Sequence, residues 1–212
     1  TYDYIVLALG SETAYLDIPG LRDYAFGFKS IRDVLRLKRH LHEMFSSCVV
    51  ATDKERECAL RFVIVGGGAT GTELAGELAI YTKTLAAHHM LDKKLLSIDL
   101  VQGGERLLPS FSPHISTIAK KRLEELGVTV HLNKRILRED IETVYLPDMQ
   151  MKTKTVIWTA GVMSHHLYKG IDGLTFDEKG RVIVDPYLQT KDFSNVFAIG
   201  DGAATLYSGM AH

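Results

Sequence analysis

Gly66, Gly68 and Gly71 stand in G-x-G-x-x-G spacing within "FVIVGGGATGTELAGELA", residues 62–79. The chemistry served by such spacing is the holding of a diphosphate. The first glycine allows a tight turn, the second lets backbone approach a pyrophosphate, and the third lets a helix pack close to the preceding strand. Gly67, Ala69 and Thr70 complete the turn. A helix starting here offers unpaired N–H groups and a partial positive charge to the phosphates. A glycine-rich turn with no ligand is the plain alternative. Glu73 falls in the first turn of this helix, where an acid also suits the dipole. Gly76 lies deeper, where it costs about 1 kcal/mol relative to Ala, so close packing against a sheet or ligand is expected there.

A dinucleotide ribose is read by a carboxylate at the end of the next strand. In "SIDLVQGGER" that position holds Gln102. A neutral amide does not repel a 2′-phosphate, and Arg106 follows four residues on, within reach of one. NADPH therefore stands open beside NADH. Other chemistry is sparse. Cys48 and Cys58 are the two cysteines, too far apart for a C-x-x-C pair, and are expected to be reduced and structural. Among nine histidines, the pairs His88–His89 and His165–His166 are adjacent and cannot share a helical face, and His40 and His42 are two apart. No cluster has zinc spacing, so no metal site is expected.

The elements that must position these residues follow from the pattern. With 212 residues, 46% of them hydrophobic, the chain can build one large domain or two small ones. A net charge of −1 carries no footprint for nucleic acid or anionic lipid. No apolar run reaches the roughly 20 residues of a bilayer helix. "TYDYIVLALG" reads as a buried strand with no secretory leader, and a chain opening inside a strand is expected to be a piece of a longer one. "SIRDVLRLKRHLHEMF" predicts an amphipathic helix with Ser30 and Asp33 at capping-box spacing and Ile31, Val34, Leu35, Lys38, Leu41 and Phe45 along one stripe. "ATDKEREC" reads as a polar link. "LRFVIVGGG" has the continuous apolar run of a strand buried on both faces. A helix from Ala69 to about Ala87, the strand "LLSIDLVQGG", a second helix capped by Ser112 and Pro113 and ended by Gly127, and the strand "VTVHL" follow. Ile115, Ile118, Ala119, Leu123 and Leu126 are the expected inner face of that second helix. Residues 134–154 suit short antiparallel strands, and "KTVIWTAG", "GRVIVDPYLQT" and "NVFAIGDGAA" are extended. The β-α-β-α-β order argues for an α/β fold, a Rossmann-like doubly wound parallel sheet. "YDYIVLALGSETA" and "KTVIWTAGVMSHH" echo one another on either side of it, which suggests two related nucleotide-binding units.

"YDYIVLALGS", "FKSIRDVLRLKRHL", "FVIVGGGATGTELAGELA", "ERLLPSFSP", "TVIWTAGV" and "NVFAIGDGA" occur in this order over essentially the whole chain. Together they resemble the two-dinucleotide-binding flavoproteins, the pyridine nucleotide-disulfide oxidoreductase superfamily. "TGTELAGEL" and "WTAGV" are most similar to the type II NADH dehydrogenases, single-chain NADH:quinone oxidoreductases. The resemblance implies that pieces of a split FAD-binding domain flank the NAD(P)H domain. Residues 1–25 would end the first FAD segment, 26–57 would be a connector with the amphipathic helix, 58–168 the NAD(P)H-binding domain, and 169–212 the returning, truncated FAD segment.

Carried over position by position, Gly66–Gly71 would hold the NADH or NADPH pyrophosphate. Glu73 would stand beside the nicotinamide as the catalytic residue, and Gln102 and Arg106 at the ribose. Thr159, Ala160 and Gly161 would line the nicotinamide site. Ala8, Leu9 and Gly10, with Gly200 and Asp201, would meet FAD, Asp201 on the ribityl chain. The implied activity is hydride transfer from NAD(P)H to FAD and then to a quinone, in a full-length flavoprotein of the respiratory chain. This piece alone is expected to bind nicotinamide nucleotide weakly, to hold little FAD and to turn nothing over. Nucleic acid is not an expected partner. A homodimer stays open, and membrane association is expected only through a C-terminal part. The expected location is the cytoplasm, with the inner face of the membrane as an alternative for the full-length protein. Rival readings are another reductase of the superfamily (an NADH oxidase, ferredoxin reductase or sulfide:quinone reductase) and a non-catalytic NAD(H)-sensing module. The lack of C-x-x-C counts against a thioredoxin reductase.

Overall fold

The computed structural model describes residues 2–205. Residues 1 and 206–212, the outer ends of the two expected FAD-side segments, lie outside the described residues. The chain divides into two compact units, one of residues 15–161 and one of residues 1–14 with 162–212. The boundaries thus fall earlier than the expected 25/26 and 168/169. The expected connector belongs to the same compact unit as the glycine loop.

Strands β1 (Ile5–Leu7) and β2 (Ser11–Thr13) open the chain, followed by α1 (Leu21–Tyr24) and β3 (Phe26–Gly27). α2 (Ile31–Cys48) starts at Ser30, whose hydroxyl accepts from Asp33 N while the Asp33 carboxylate accepts from Ser30 N. This is the expected capping box. The buried stripe keeps Leu41 and Phe45 of the expected one and differs in its other members. Leu37, Leu41, Phe45 and Cys48 face inward, whereas Ile31, Val34 and Leu35 are exposed. "ATDKEREC" is not a link but α3 (Asp53–Ala59), built on a second capping box between Thr52 and Glu55. β4 (Arg61–Val65) leads into α4 (Ala69–His88), and β5 (Ser97–Val101) into α5 (Pro113–Leu126). α5 has Ser112 as N-cap, Pro113 in its first turn and Gly127 at φ +92° as its left-handed stop. Of its expected inner face, Leu123 is buried and Ala119 and Leu126 pack on the core, but Ile115 and Ile118 are exposed and Ser116 is buried instead.

β6 (Val128–His131) precedes three short antiparallel strands, β7 (Arg138–Asp140), β8 (Thr143–Tyr145) and β9 (Gln150–Lys152). These fulfil the reading of 134–154. β10 (Thr155–Trp158), β11 (Val162–Ser164), β12 (Val182–Ile183), β13 (Val196–Ala198) and β14 (Ala203–Ala204) complete the order.

In the unit of 15–161, β3-β10-β4-β5-β6 form one parallel sheet. Alternate residues of its central strands enter opposite cores. Phe62, Ile64, Ile98, Leu100 and Ile157 join residues of α2, α4 and α5, among them Leu41, Phe45, Leu78 and Leu123. Val63, Val65, Val101, Val156 and Trp158 meet Leu21, Ile136, Val144, Leu146 and Met151. The expected Rossmann-like parallel sheet is present, with its second face covered by the β7–β9 meander and the single turn of α1. Phe62, Val63 and Ile64 are all fully buried. Each such side chain contributes about 1.5–3 kcal/mol of transfer free energy, which is why the run reads as uninterrupted apolar sequence. Cys48 and Cys58 are free and buried, and burial raises both thiol pKa values.

Gly76 does not meet the expected tight contact. A methyl there would lie 3.7 Å from Leu123 Cδ2 and 3.9 Å from Leu126 Cδ1, ordinary packing distances. Gly76→Ala is therefore expected to stabilise the fold by about 0.5–1 kcal/mol, read as a higher Tm. A lower Tm would show that the α4–α5 contact has no room.

The other unit is held by parallel β1–β13 and β12–β14 and antiparallel β2–β11. Its small core gathers Leu7, Leu174, Val182, Val196 and Ala198 around the fully buried Tyr168.

Candidate functional site

The predicted residues of the larger unit collect at the carboxyl ends of β4, β5 and β10. β5 pairs on one side of β4 and β10 on the other, so the end of β4 is the point where the strand order reverses and ligands of α/β sheets bind. Gly66 has φ +115°, and a Cβ there would stand 2.7 Å from Ala160 N. A Cβ on Gly71 would collide with the Gly66 carbonyl oxygen and lie 2.6 Å from Thr159 Oγ1. A Cβ on Gly67 would come within 2.5 Å of Leu107 Cδ2. Gly66 and Gly71 are demanded by the backbone packing of the loop itself, whereas at Gly67 the clash is with the end of the Leu107 side chain. Gly68 differs: it is the exposed N-cap of α4 with φ −73°, and no atom of the described residues lies within 4 Å of the place a Cβ would take. No side chain caps the α4 N-terminus. The loop thus presents one open backbone position beside the uncapped N–H groups of Ala69, Thr70 and Gly71, which suits an anionic diphosphate.

Thr159 locks the two strand ends together. Its hydroxyl donates to Val65 O (2.9 Å) and Gly66 O (3.0 Å). Ala160, exposed, and Gly161, half-buried, continue from it toward the loop. Glu73 is not in the first turn but is the fifth residue of α4, and it is exposed. A helix-dipole role for it is thereby weakened.

Gln102 follows β5 as expected but points at the loop. Its Oε1 accepts from Gly67 N (2.9 Å) and its Nε2 donates to Arg106 O (3.3 Å). Arg106 is turned inward: Nη1 donates to Phe111 O (2.7 Å) and Ser116 Oγ (2.9 Å), and Nη2 to Pro109 O (2.7 Å). Its guanidinium staples the 106–116 loop, so the expected reach toward a 2′-phosphate is not what the geometry shows. A cation packed against Gly103, next to the expected ribose position, is Arg135, which sequence reasoning missed. A Cβ on Gly103 would lie 3.3 Å from its Cγ and 3.4 Å from its Nε. Backbone bonds from Gln102 N to His131 O and from Lys134 N to Gln102 O bring the two loops together. No local signal marks Arg135, because this contact is made by sheet pairing.

In the smaller unit, β1 and β13 run parallel with Leu7 opposite Ala198, so "ALG" and "IGD" emerge side by side. Ala8 and Leu9 are exposed, and Gly10 and Gly200 take φ of +70° and +73° with open space at the Cβ position. Leu9 N donates to Tyr168 Oη (3.1 Å), and Ser11 Oγ donates to Asp201 Oδ2 (2.5 Å). Ser11 is a second residue that sequence reasoning missed. The arrangement brings together all five residues expected on the flavin side.

A parallel sheet with a glycine loop at its switch point, and a second pair of parallel strand ends in the other unit, define an α/β protein of the nucleotide-binding class. Residues 1–212 match the family model described as pyridine nucleotide-disulphide oxidoreductase, and the chain belongs to that family. It is 33% identical to the type II NADH:quinone oxidoreductase NdhA of Mycobacterium tuberculosis, over 94% of this chain and 45% of that protein. It is 32% identical to the type II NADH:quinone oxidoreductase of Haemophilus influenzae, over 98% of this chain and 50% of that protein. The fold superposes on NDH2 of Plasmodium falciparum, solved in complex with NADH, with a TM-score of 0.87 at 25% identity, covering 95% of this chain and 44% of that one. The chain spans about half the length of the curated relatives it matches. No helix among the described residues is long and apolar enough to cross a membrane.

Proposed function

We propose that this chain is the nicotinamide-nucleotide-binding part, with adjoining flavin-side segments, of an FAD-dependent NAD(P)H:quinone oxidoreductase. The carrying observation is Gly68, the one glycine of the loop whose missing side chain leaves open space in front of a helix N-terminus. When bound, the flavin supplies the two-electron chemistry that links NAD(P)H oxidation to quinone reduction.

The residues of the chain bind and orient. Gly68 and the first turn of α4 hold the diphosphate. Thr159 fixes the end of β10 against the loop, so that Ala160 and Gly161 form a wall for the nicotinamide. Glu73, on the exposed side of α4, is the acid assigned to the nicotinamide end. On the flavin side, Asp201 is oriented by Ser11, and Gly10 and Gly200 leave backbone open to a ligand. The domain assignment follows: residues 15–161 form the nucleotide domain, and 1–14 with 162–212 are portions of the FAD domain. Flavin absorbance and NADH-driven bleaching in the full-length protein test the reading. A colourless protein that still binds NADH would sink it in favour of a sensing module.

The same loop accommodates NADPH beside NADH. Gln102 places no carboxylate at the ribose, and Arg135 lies beside that position. The name of a Solanum tuberosum relative, 29% identical over 96% of this chain, specifies an NAD(P)H-ubiquinone oxidoreductase. Gln102→Glu keeps an acceptor for Gly67 N and adds a charge that repels a 2′-phosphate. It is expected to shift the ratio of NADPH to NADH dissociation constants toward NADH by about tenfold, the equivalent of 1.4 kcal/mol. Unchanged ratios would reject this assignment of Gln102.

A further inference from the structure

In the antiparallel pair of β2 and β11, Ser11 stands opposite Ser164 and Glu12 opposite Met163. The ladder delivers the Glu12 side chain to the short 3-10 helix His166–Gly170, for which His165 is the N-cap. Glu12 Oε1 accepts from the His166 backbone N–H (3.2 Å), and Glu12 Oε2 lies 3.1 Å from His166 Nδ1. The His165 and His166 rings stack, with centroids 4.6 Å apart and planes at 25°. One ligand-capable atom from each of Glu12, His165 and His166 lies within 4.8 Å of the other two. None of the three belongs to the nucleotide sites described above.

We infer that Glu12, His165 and His166 form a zinc site that clamps β2 to β11. Glu12 and His166 carry the geometry, and His165, stacked on His166 and accepting from Leu167 N through Nδ1, joins them by turning its Nε2 toward the ion. Two ligands on one tetrahedral ion, at bond lengths near 2.0–2.1 Å, stand about 3.3 Å apart. The separation of Glu12 Oε2 and His166 Nδ1 is close to that, so an ion can replace the ring proton that now joins them with little movement. Two imidazoles and a carboxylate suit Zn²⁺ and its borderline neighbours rather than Ca²⁺ or Mg²⁺, which prefer oxygen ligands alone. Three protein ligands leave the fourth position of the ion to water. His166 is exposed and the other two are half-buried, so the ion can enter. Burial opposes charge on Glu12, but the hydrogen bonds and charge of His166 outweigh it and hold the pKa below the usual value, so the carboxylate is available as a ligand.

The position gives the clamp its meaning. The chain leaves one compact unit for the other after residue 14 and returns after residue 161. β2 ends and β11 begins at these two crossings, with Thr13 opposite Val162. An ion here would fasten both crossing strands, and its presence or absence would stiffen or loosen them.

The test is isothermal titration of the full-length, flavin-loaded protein, purified without a histidine tag, with Zn²⁺ alone. The parent is expected to bind one equivalent saturably, and zinc is expected to raise its Tm, because binding to the native state alone stabilises it. Glu12→Gln and His166→Ala should each weaken that binding by about tenfold or more, and the double change His165→Ala with His166→Ala should abolish both the binding and the Tm increase. Circular dichroism without zinc should be unchanged in His166→Ala, whose ring is exposed. Absence of saturable zinc binding in the parent overturns the inference, and so does binding that survives the double change.

Discussion

Gly68→Ala is expected to weaken NADH binding by about ten- to a hundredfold, a loss of roughly 1.4–2.7 kcal/mol, while the Tm without ligand stays near that of the parent. The new methyl meets no atom of the described residues and φ of −73° suits alanine, so these residues have nothing to adjust. The methyl does occupy the space in front of the α4 N-terminus where a diphosphate would come. Gly71→Ala should behave in the opposite way. Its methyl collides with the Gly66 carbonyl and crowds Thr159 Oγ1 at 2.6 Å, so α4 must move away from the ends of β4 and β10. Overpacking of this kind costs about 1–3 kcal/mol, and for a protein of this size each kcal/mol lowers the Tm by roughly 2–4 °C. Thermal melts without nucleotide, paired with fluorescence titration of NADH, separate the two. A Gly68→Ala protein that binds NADH as the parent does would remove the diphosphate from this loop.

The second large effect belongs to Glu139. It sits in β7, only 5% exposed, and its Oε2 finds no hydrogen-bond partner among the described residues. Its burial is enforced by the chain passing over it. Glu139 N donates to Pro19 O (2.9 Å), and Gly20, at φ +79°, crosses so close that a Cβ would strike the Glu139 carbonyl. Burial raises the carboxyl pKa from 4.5 to about 8. Below pH 4.5 the group is neutral in folded and unfolded chains alike. Between 4.5 and 8 the unfolded chain has released the proton and the folded one retains it, so stability falls as pH rises through this window. Above 8 the penalty is constant. Glu139→Gln keeps the shape and cannot ionise. Its stability should match that of the parent near pH 4.5 and exceed it by up to a few kcal/mol at pH 8. Denaturant midpoints of both proteins from pH 4.5 to 8.5 check this, and parallel curves would show that Glu139 does not titrate in that range.

Much of this was legible in the residues themselves, wherever the determinant is local. Ser112, Pro113 and Gly127 bounded α5 because cap and stop act within one turn. Gly66, Gly68 and Gly71 announced the strand-loop-helix turn because all three roles lie within six residues. The α3 signal, Thr52 followed by Glu55, was equally local and was passed over because the surrounding residues are polar. What the sequence withheld was set by distant pairing. Ile31, Val34 and Leu35 fit a helical stripe with Leu41 and Phe45 as well as Leu37 and Cys48 do, and only the position of the sheet selects the latter two. Arg106 has the right charge at the right spacing, yet Pro109, Phe111 and Ser116 capture it once the loop closes. Gln102 stands where a ribose reader is expected, but its bond with Gly67 N is set by the fold and not by spacing. Glu12 and His166 are remote in the chain, so two adjacent histidines gave no sign of a third ligand.

The register of β1 with β13 has a consequence for synthesis. Ile5 pairs with Val196 and Leu7 with Ala198, so β1 meets β13 only after the whole unit of 15–161 has been made between them. At a synthesis rate of roughly 5–20 residues per second, the edge of β1 that β13 takes waits on the order of 10–40 s. The intervening unit of 15–161 completes its sheet from residues already available during that interval. The β1–β13 pair therefore forms after that sheet, and apolar β1 is a segment a nascent-chain chaperone would be called on to cover.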